Sequence, residues 1–453
     1  MTNITLASPE AIRAEQDRRL RRMLRLISQA HPAYRRRWQA AGVDLDAIRG
    51  VVDLERLPLT TKADYMAEPE AYRLLADTLP PREGTLWDVV YTTGTTTGRP
   101  TPFYSTGFDY YNILELQRRM SAIRGMNSHD LIANLYPLTP YPHGAFLRCS
   151  QTAMVIGAGL VTGCSGSSYG EYPVHRHLDE VVELIGRSQP TILWGVPSYL
   201  RRVLVRASEL GATMSRVRMC AVSGEPLSEG MRRELKQRLA DLGATDVVVN
   251  NSLGATEIQG GLIECCEDSG FHNPAPDLYY FEAVDEGGRR LPAGKTGLLA
   301  LTHLNRRGTV LVRYVLGDLV KLTEEPCSHC GRAGGRVVSQ PVRIGRLVKV
   351  RGALVNIDQI NHHLSSLPGI AEYQVVLDRE DRNDTFSMDA LVVRVAPTAA
   401  WTARESDLAD DVAACVKSVT NVTPKVEFTT ATSIFDPEHQ MKPVRFVDQR
   451  NLG

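Results

Sequence analysis

Between residues 85 and 345, short apolar runs alternate with stretches of helical periodicity. LWDVVY (86–91), AMVIGAGLV (153–161), TILWGV (191–196), RMCAVSG (218–224) and DVVVNNS (246–252) carry little polar alternation. HLDEVVELIGRS (177–188) and SEGMRRELKQRLADLG (228–243) instead repeat apolar residues three and four apart, as an amphipathic helix requires. Ser228 caps the second of these and Gly243 ends it. Non-alternating apolar strands spaced by helices predict parallel sheets covered on both faces. At the N-terminus, Ser8 as cap and Pro9 at the first helical position predict a helix to about Ser28.

The pattern changes near residue 279. YYFEAVD, GLLALTHL and LVRYVLGDLVKL are strand-like, and turns such as EGGRRLPAGKTG join them, which predicts an antiparallel, barrel-like subdomain. After Gly345 comes a further unit. Asn356 to Gln359 forms a capping box for a helix to about Leu364, YQVVLD, MDALVVRVAP and KVEFTT read as strands, and Glu405 to Val419 reads as a helix. The expected fold is α/β. A large N-terminal domain (1–343) of helix-flanked sheets carries the barrel-like subdomain, and a small, mobile C-terminal α/β domain (344–453) follows.

Composition narrows the class. In 453 residues, 43% hydrophobic and 23% charged, there is ample material for two or three packed domains, which excludes collagen, disulfide scaffolds and wholesale disorder. The 52 basic and 52 acidic residues cancel, so no whole-chain field draws in nucleic acid or anionic lipid. An arginine-rich run (13–37) is interleaved with Glu15 and Asp17 and reads as a solvated helix face. No apolar stretch approaches the roughly 18 residues of a membrane span, and MTNITLASPEA lacks the order of a secretion signal. Eight cysteines are too few for a secreted disulfide framework, so a cytoplasmic location is expected.

The densest chemical signal follows LWDVVY. Thr92, Thr93, Thr95, Thr96 and Thr97, with Gly94 and Gly98, give small side chains, hydroxyls and approachable amides suited to phosphate oxygens. The alternative is a polar surface turn. It is not a Walker A loop, because three residues separate the glycines and Arg99-Pro100 follow where Lys and Ser/Thr belong. A kinase or NTPase reading is therefore disfavoured.

This loop resembles the phosphate loop of the adenylate-forming, acyl-CoA synthetase superfamily, and further matches follow in that family's order. Trp194-Gly-Val-Pro-Ser-Tyr199 resembles the segment before the acyl pocket, Ser223-Gly-Glu-Pro-Leu-Ser228 the adenine-contacting GGE segment, and Leu253-Gly-Ala-Thr-Glu257 the YG-x-TE motif. Gly297-Leu-Leu-Ala-Leu-Thr302 resembles the GEL segment, Arg313-Tyr-Val-Leu-Gly-Asp318 the YRTGD motif, and Met441-Lys-Pro-Val-Arg445 the C-terminal GK-xx-R loop. Each is weak alone; their shared order, from about 60 to 450, is specific. LPLTTKADY (57–65), SGEPLS and CSHCGR point to the phenylacetate–CoA ligase branch.

The resemblance implies ATP-dependent conversion of an aromatic carboxylic acid to an acyl-adenylate with release of pyrophosphate. Transfer to CoA then gives the thioester and AMP. It implies that Thr92, Thr93, Thr95, Thr96 and Gly98 hold phosphates, that Ser223, Gly224 and Glu225 meet the adenine, and that Arg346 helps to hold the nucleotide. Thr256 would donate to the α-phosphate, Glu257 would ligate Mg²⁺, Asp318 would accept both ribose hydroxyls, and Lys442 would neutralise the carboxylate and the α-phosphate. In isolation Asp318 is a turn aspartate and Lys442 a solvated charge. Tyr136, His143, Gly144, Phe146, Trp194 and Gly254 are the candidate acyl-pocket residues, although aromatics inside a domain are commonly plain core. Leu253 departs from the family's aromatic, and Leu298 from the glutamate of GEL.

Cys327 and Cys330 flank a turn that can chelate one ion, and a Cys and a His from 265–272 would complete a tetrahedral Cys₃His site for Zn²⁺. The alternative is that these cysteines are small apolar residues. Spacing to His272 in zinc-binding members of the ligase branch favours Cys265 over Cys266, and His329 is not expected to ligate. No position for a reacting water is evident, so the site would be structural. The hinge, Gly345-Arg-Leu-Val-Lys-Val-Arg-Gly352, is about three residues shorter than the family's and lacks its acidic pair, leaving Lys349 as a substitute or a stiffer hinge. A carrier-protein thiol or an amine stands as an alternative acceptor, and a zinc-stabilised nucleotide-binding regulatory module as the alternative of a different class. The resemblance is compatible with a homodimer.

Overall fold

The computed structural model describes residues 4–92, 100–138, 144–165, 175–344, 347–350, 353–381, 387–437, 440 and 442–450. They form a mixed α/β protein that divides into two compact units. One comprises 1–134, 139–160 and 250–342; the other comprises 135–138, 161–249 and 343–453.

In the first unit, Ser8 caps the Pro9–Ala30 helix by accepting from the Ala11 amide. Ile12, Leu20, Met23, Leu24 and Ile27 form its buried stripe. Among its arginines, Arg18 and Arg19 pair with Glu15, and Arg19 also reaches Asp277. Three antiparallel strands, Tyr279–Val284, Thr296–His303 and Tyr314–Thr323, pair in chain order, as the strand-like runs and short turns after residue 279 predicted. Short pairings then carry the ladder through Arg336–Val337 and Phe271–His272 to Gly260–Ile263 and Val248–Ala255. Tyr34, Tyr65, Tyr72, Phe103 and Tyr314 are all buried in one core with Leu20, Ile27 and Leu301.

Two expectations are corrected here. LWDVVY forms the Leu86–Tyr91 strand, but its partner is Pro102–Thr106, antiparallel, with Tyr91 opposite Pro102. The threonine-rich stretch joins the two strands of this pair, and so short a connection cannot make the crossover a parallel pair needs. Nor are both faces covered, since Trp87 is 60% exposed and only Val90 is buried. AMVIGAGLV is also not one strand. Its first four residues end the Gly144–Ile156 helix, Gly157 reverses the chain at φ 70°, and a strand begins at Gly159. Short apolar runs do not by themselves distinguish buried helix from buried strand.

In the second unit, Ile192–Gly195 and Met219–Val222 pair in parallel, as expected for strands separated by a helix, here Pro197–Glu209. The Leu178–Ser188 and Glu229–Asp241 helices match their periodicities, and Ser228 caps the latter. The C-terminal stretch folds as a four-stranded sheet in the order Lys425–Phe428, Asp389–Pro397, Ile370–Arg379, Phe446–Asp448. The Ile357–Leu364 and Glu405–Thr420 helices share its core. Asn356 caps the former by accepting from Asp358 and Gln359 amides. Leu347–Val350 and Ala353–Asn356 pair as a hairpin at the start of this stretch.

Within the unit, the C-terminal stretch is tied to the 161–249 segment. Arg201 pairs with Glu234 and donates to the Ala371 carbonyl at 2.8 Å. Ser228 and Ser365 hydroxyls meet at 2.5 Å. A Cβ at Gly230 would lie 2.9 Å from the Ser366 Cα, so only glycine permits this approach.

Candidate functional site

The first unit carries Thr92, Thr256, Glu257 and Asp318. Thr92 closes the neck of the threonine-rich loop: its amide donates to the Thr101 carbonyl at 3.0 Å, and its hydroxyl accepts from the Thr101 amide at 3.1 Å. Thr93, Thr95, Thr96 and Gly98 lie outside the described residues, as do His143 and Arg346.

Thr256 and Glu257 sit on a single 3₁₀ turn, Thr256–Ile258, which ends the Val248–Ala255 strand. Both are half-buried. Gly254 pairs with Gly261 on the returning strand, and a Cβ at Gly261 would stand 3.0 Å from the Leu253 carbonyl, so the hairpin closes this tightly only with glycine.

Asp318 lies within the Tyr314–Thr323 strand rather than in a turn. Leu298 pairs with Leu319 and Ala300 with Val315, so Leu299 alone stands opposite three residues of the bulged strand. Gly317, at φ 88°, supplies the backbone conformation, and the bulge re-aims Asp318 beside it. Gly144 begins the Gly144–Ile156 helix, and the Phe146 carbonyl two residues on accepts from the Asn134 side chain at 3.0 Å.

The four expected zinc ligands converge. One donor atom from each of Cys265, His272, Cys327 and Cys330 lies within 4.8 Å of every other. Cys265 and Cys327 sulfurs are 4.0 Å apart, and Cys330 Sγ lies 3.7 Å from His272 Nε2. A tetrahedral zinc ion would set such atoms roughly 3.3–3.8 Å apart, so the set needs only a small contraction to fit. Burial lowers the His272 pKa to about 4, keeping the imidazole neutral as a metal ligand requires. Cys266 and His329 are not part of the group.

The second unit carries Lys442, Tyr136 and Trp194. Tyr136 and Trp194 are buried. The Tyr136 hydroxyl bonds to the Ser223 hydroxyl, and the Leu135 amide donates to the Trp194 carbonyl at 2.8 Å. Gly224, at φ 92°, turns the chain so that its carbonyl accepts from Lys442 Nζ at 3.3 Å. The 223–225 segment is thus where Tyr136 and Lys442, some 300 residues apart in sequence, both arrive.

Glu225 accepts from the Ser198 amide at 3.2 Å and from its hydroxyl. Burial pushes the Glu225 carboxyl up, against the opposing pull of Arg445, Ser198 and Lys442. Arg445 is half-buried over the Tyr373 ring, 4.4 Å from its centroid, and pairs with Glu372. It fixes the loop that presents Lys442. Ser198 and Glu372 carry no local sequence signal for this role; their partners lie 27 and 73 residues away.

A family model described as AMP-binding enzyme matches residues 26–303, and one described as AMP-binding enzyme C-terminal domain matches 352–450. Phenylacetate-coenzyme A ligase of Thermus thermophilus is 30% identical over 382 residues, 83% of this chain and 80% of that protein. Phenylacetate-coenzyme A ligase of Escherichia coli is 26% identical over 467 aligned residues, 99% of this chain and 97% of that protein. Among solved structures, 2-hydroxyisobutyryl-CoA ligase in the postadenylation state superposes with a TM-score of 0.80 at 23% identity, covering 99% of this chain and 91% of that one. The anthranilate CoA ligase AuaEII superposes at 0.55 and 18% identity, covering 77% of this chain and 64% of that one, which is likeness of fold.

Proposed function

Because the chain belongs to the AMP-binding, adenylate-forming enzymes, in their phenylacetate–CoA ligase-like branch, we propose that it is an acid–CoA ligase whose acid is aromatic. The reaction joins a carboxylate to the α-phosphorus of ATP, expels pyrophosphate, and then exchanges AMP for the thiol of CoA. Both partners in the first step are anions, so the barrier is one of repulsion and alignment, and fixed cationic and hydrogen-bonding groups lower it.

The observation that carries this reading is the engagement of Lys442 with Gly224. It sets the one ammonium that the resemblance makes catalytic on the segment expected to meet the adenine. There Lys442 would oppose the charge of the carboxylate and the α-phosphate. Thr256 would donate to that phosphate, and Thr92, with Thr93, Thr95, Thr96 and Gly98, would hold the others. Asp318, re-aimed by its bulge, would accept from the ribose hydroxyls, and Arg346 would help to hold the nucleotide. Glu257 would hold Mg²⁺, which when bound neutralises phosphate charge; a half-buried carboxylate is a donor that this hard cation prefers. Tyr136 and Trp194, both buried aromatics, support a flat aromatic acid over a branched aliphatic one, with Gly144, Phe146, Gly254 and His143 completing the acyl pocket.

Zn²⁺ would be held by Cys265, His272, Cys327 and Cys330. Four protein donors fill its tetrahedron, so its role would be structural. All eight cysteines are unpaired and no described helix is long and apolar enough to cross a membrane, which supports a reducing, cytoplasmic setting.

The test is acid-dependent exchange of labelled pyrophosphate into ATP across hydroxy-, amino- and methyl-benzoates, phenylacetates and short branched hydroxy acids, followed by CoA. Exchange and acyl-CoA with an aryl acid are expected. Exchange only with aliphatic acids would refute the aromatic assignment. Exchange without thioester would move the acceptor to a carrier-protein thiol or an amine.

A further inference from the structure

The turn that bears Thr256 and Glu257 is held by an unusual set of bonds. A single 3₁₀ turn satisfies only its first carbonyl internally, and buried carbonyls left without donors are costly. Here four consecutive carbonyls each accept from a buried side chain. Thr256 O accepts from Gln259 Nε2 at 2.7 Å, in addition to the Gln259 amide at 3.1 Å. Glu257 O accepts from His303 Nε2 at 3.0 Å, Ile258 O from the Tyr279 hydroxyl at 3.1 Å, and Gln259 O from Gln117 Nε2 at 3.0 Å.

These donors come from separate parts of the first unit. Gln117 is on the Gly107–Arg124 helix, while Tyr279 and His303 stand directly opposite each other on paired strands, their rings edge to face at 5.7 Å. Gln117, Gln259, Tyr279 and His303 are all 3% exposed or less. The His303 tautomer follows from its partners: Nδ1 accepts from the Leu311 amide at 3.1 Å, so the ring proton sits on Nε2, facing the Glu257 carbonyl.

Gln259 itself has φ 57°, a conformation that a side chain normally disfavours. What the glutamine gains there is a second connection. Its Oε1 accepts from Arg148 Nη2 at 2.6 Å, and the same nitrogen reaches Asp88 Oδ2 at 3.0 Å. Asp88 lies on the Leu86–Tyr91 strand that leads into the threonine-rich loop. The path Asp88–Arg148–Gln259 therefore joins the root of that loop to the turn bearing Thr256 and Glu257.

We propose that His303 and Gln259 are positioning residues for the Thr256–Glu257 turn, fixing its backbone so that the Glu257 carboxylate meets the magnesium–nucleotide without rearrangement. This rests on the reading that Glu257 holds Mg²⁺. That ion demands near-ideal octahedral geometry, so a ligand on a half-exposed turn contributes fully only if its backbone is fixed.

The test compares His303→Met with His303→Gln in the full-length protein. Both lose the acceptor for the Leu311 amide, but glutamine keeps a donor near the Nε2 position and methionine does not. The primary readout is the gain in ATP affinity on adding Mg²⁺, by isothermal titration, alongside melting temperature and pyrophosphate exchange. Removing support from a metal ligand typically costs roughly 10- to 100-fold in metal affinity. The Mg²⁺-dependent gain should therefore fall by about that factor in His303→Met and be largely restored in His303→Gln. His303→Met, which leaves the Glu257 carbonyl without its donor, should melt below His303→Gln, so the control is ATP affinity without Mg²⁺, which should match wild type in both variants.

Equal Mg²⁺-dependent gains in His303→Met and wild type would overturn the proposal, as would a loss of ATP affinity in His303→Met that is the same with and without Mg²⁺. Should His303→Met fail to fold, Gln259→Met, which removes the donor to Thr256 O and the acceptor for Arg148, is read by the same criterion. Failure of the parent reading looks different: wild-type protein would show neither exchange with any acid nor any gain in ATP affinity from Mg²⁺.

Discussion

Acidification should destabilise the first unit through one buried histidine. His31 is fully buried and caps the Pro32–Ala40 helix by accepting from the Tyr34 amide at Nδ1, 3.2 Å, while Nε2 faces the Val310 carbonyl at 3.3 Å. Only the neutral tautomer with its proton on Nε2 satisfies both partners; a proton on Nδ1 would set two donors against each other. The rings of Tyr34 and Tyr72 pack on it, and Arg36 adds a repelling charge. Burial chiefly lowers its pKa from 6.5 to about 4, with the Val310 and Tyr72 backbone opposing and Arg36 assisting.

The unfolded chain therefore takes up a proton that the folded one refuses. Stability from this site is complete above pH 6.5 and is lost as pH falls from there to about 4. At 1.36 kcal/mol per pKa unit the loss approaches ~3 kcal/mol. For a unit of about 250 residues that is roughly 6 °C in melting temperature. The assay is thermal unfolding of wild type and His31→Asn between pH 7.5 and 4. Asparagine keeps the capping acceptor but does not titrate, so the variant should be less stable at pH 7 and converge on wild type as pH falls. A parallel pair of pH profiles would refute the argument.

Two further outcomes follow from the site. Lys442→Ala should abolish pyrophosphate exchange, a loss of at least about 100-fold, while ATP binding stays within a few-fold, because its charge acts on the reacting groups; exchange at the wild-type rate would remove Lys442 from the chemistry. Protein purified without added metal should contain one zinc per chain by elemental analysis, falling to about half or less in Cys330→Ser; a zinc-free wild-type protein would end the Cys₃His assignment.

What was legible in the sequence divides by the range of the forces involved. Helices with local signals were readable: Ser8-Pro9, the cap at Ser228 and the cap at Asn356 each lie within four residues of the amides they serve. The antiparallel strands after residue 279 were equally readable, because strand-like apolar runs and short turns are local properties. The Leu86–Tyr91 pairing was not, because an apolar hexamer does not encode the direction of its partner. The convergence of Cys265, His272, Cys327 and Cys330 was legible because their spacing suits a chelating cluster. His303 and Tyr279 were missed because each acts on a carbonyl through a contact that exists only once the strands are paired, and Gln259 because a glutamine bonding three residues back carries no distinctive motif. His303 stands where the GEL segment ends, and there a histidine reads as ordinary strand sequence.

The residues from 256 to 272 make the consequence concrete. At one end, four carbonyls of the Thr256–Gln259 turn are clamped by side chains of one helix, two strands and Gln259 itself. At the other end, Cys265 and His272 meet Cys327 and Cys330, which follow the strand bearing Asp318. Between the clamps run the Gly260–Ile263 strand and its pairing back to Ser252–Ala255. A short strand held only by its ladder would slide or fray, since two glycines interrupt it and contribute no side-chain packing. With the proposed Zn²⁺ bound at that group, both ends would be clamped and that freedom removed. The carboxylates of Glu257 and Asp318 are then carried on segments tied to one four-ligand cluster. Loss of that cluster should loosen both segments together, whereas loss of the His303 donor should affect Glu257 alone. A chelator-treated protein and the His303→Met variant would therefore differ in ribose dependence: the first should lose discrimination between ATP and 2′-deoxy-ATP, and the second should keep it.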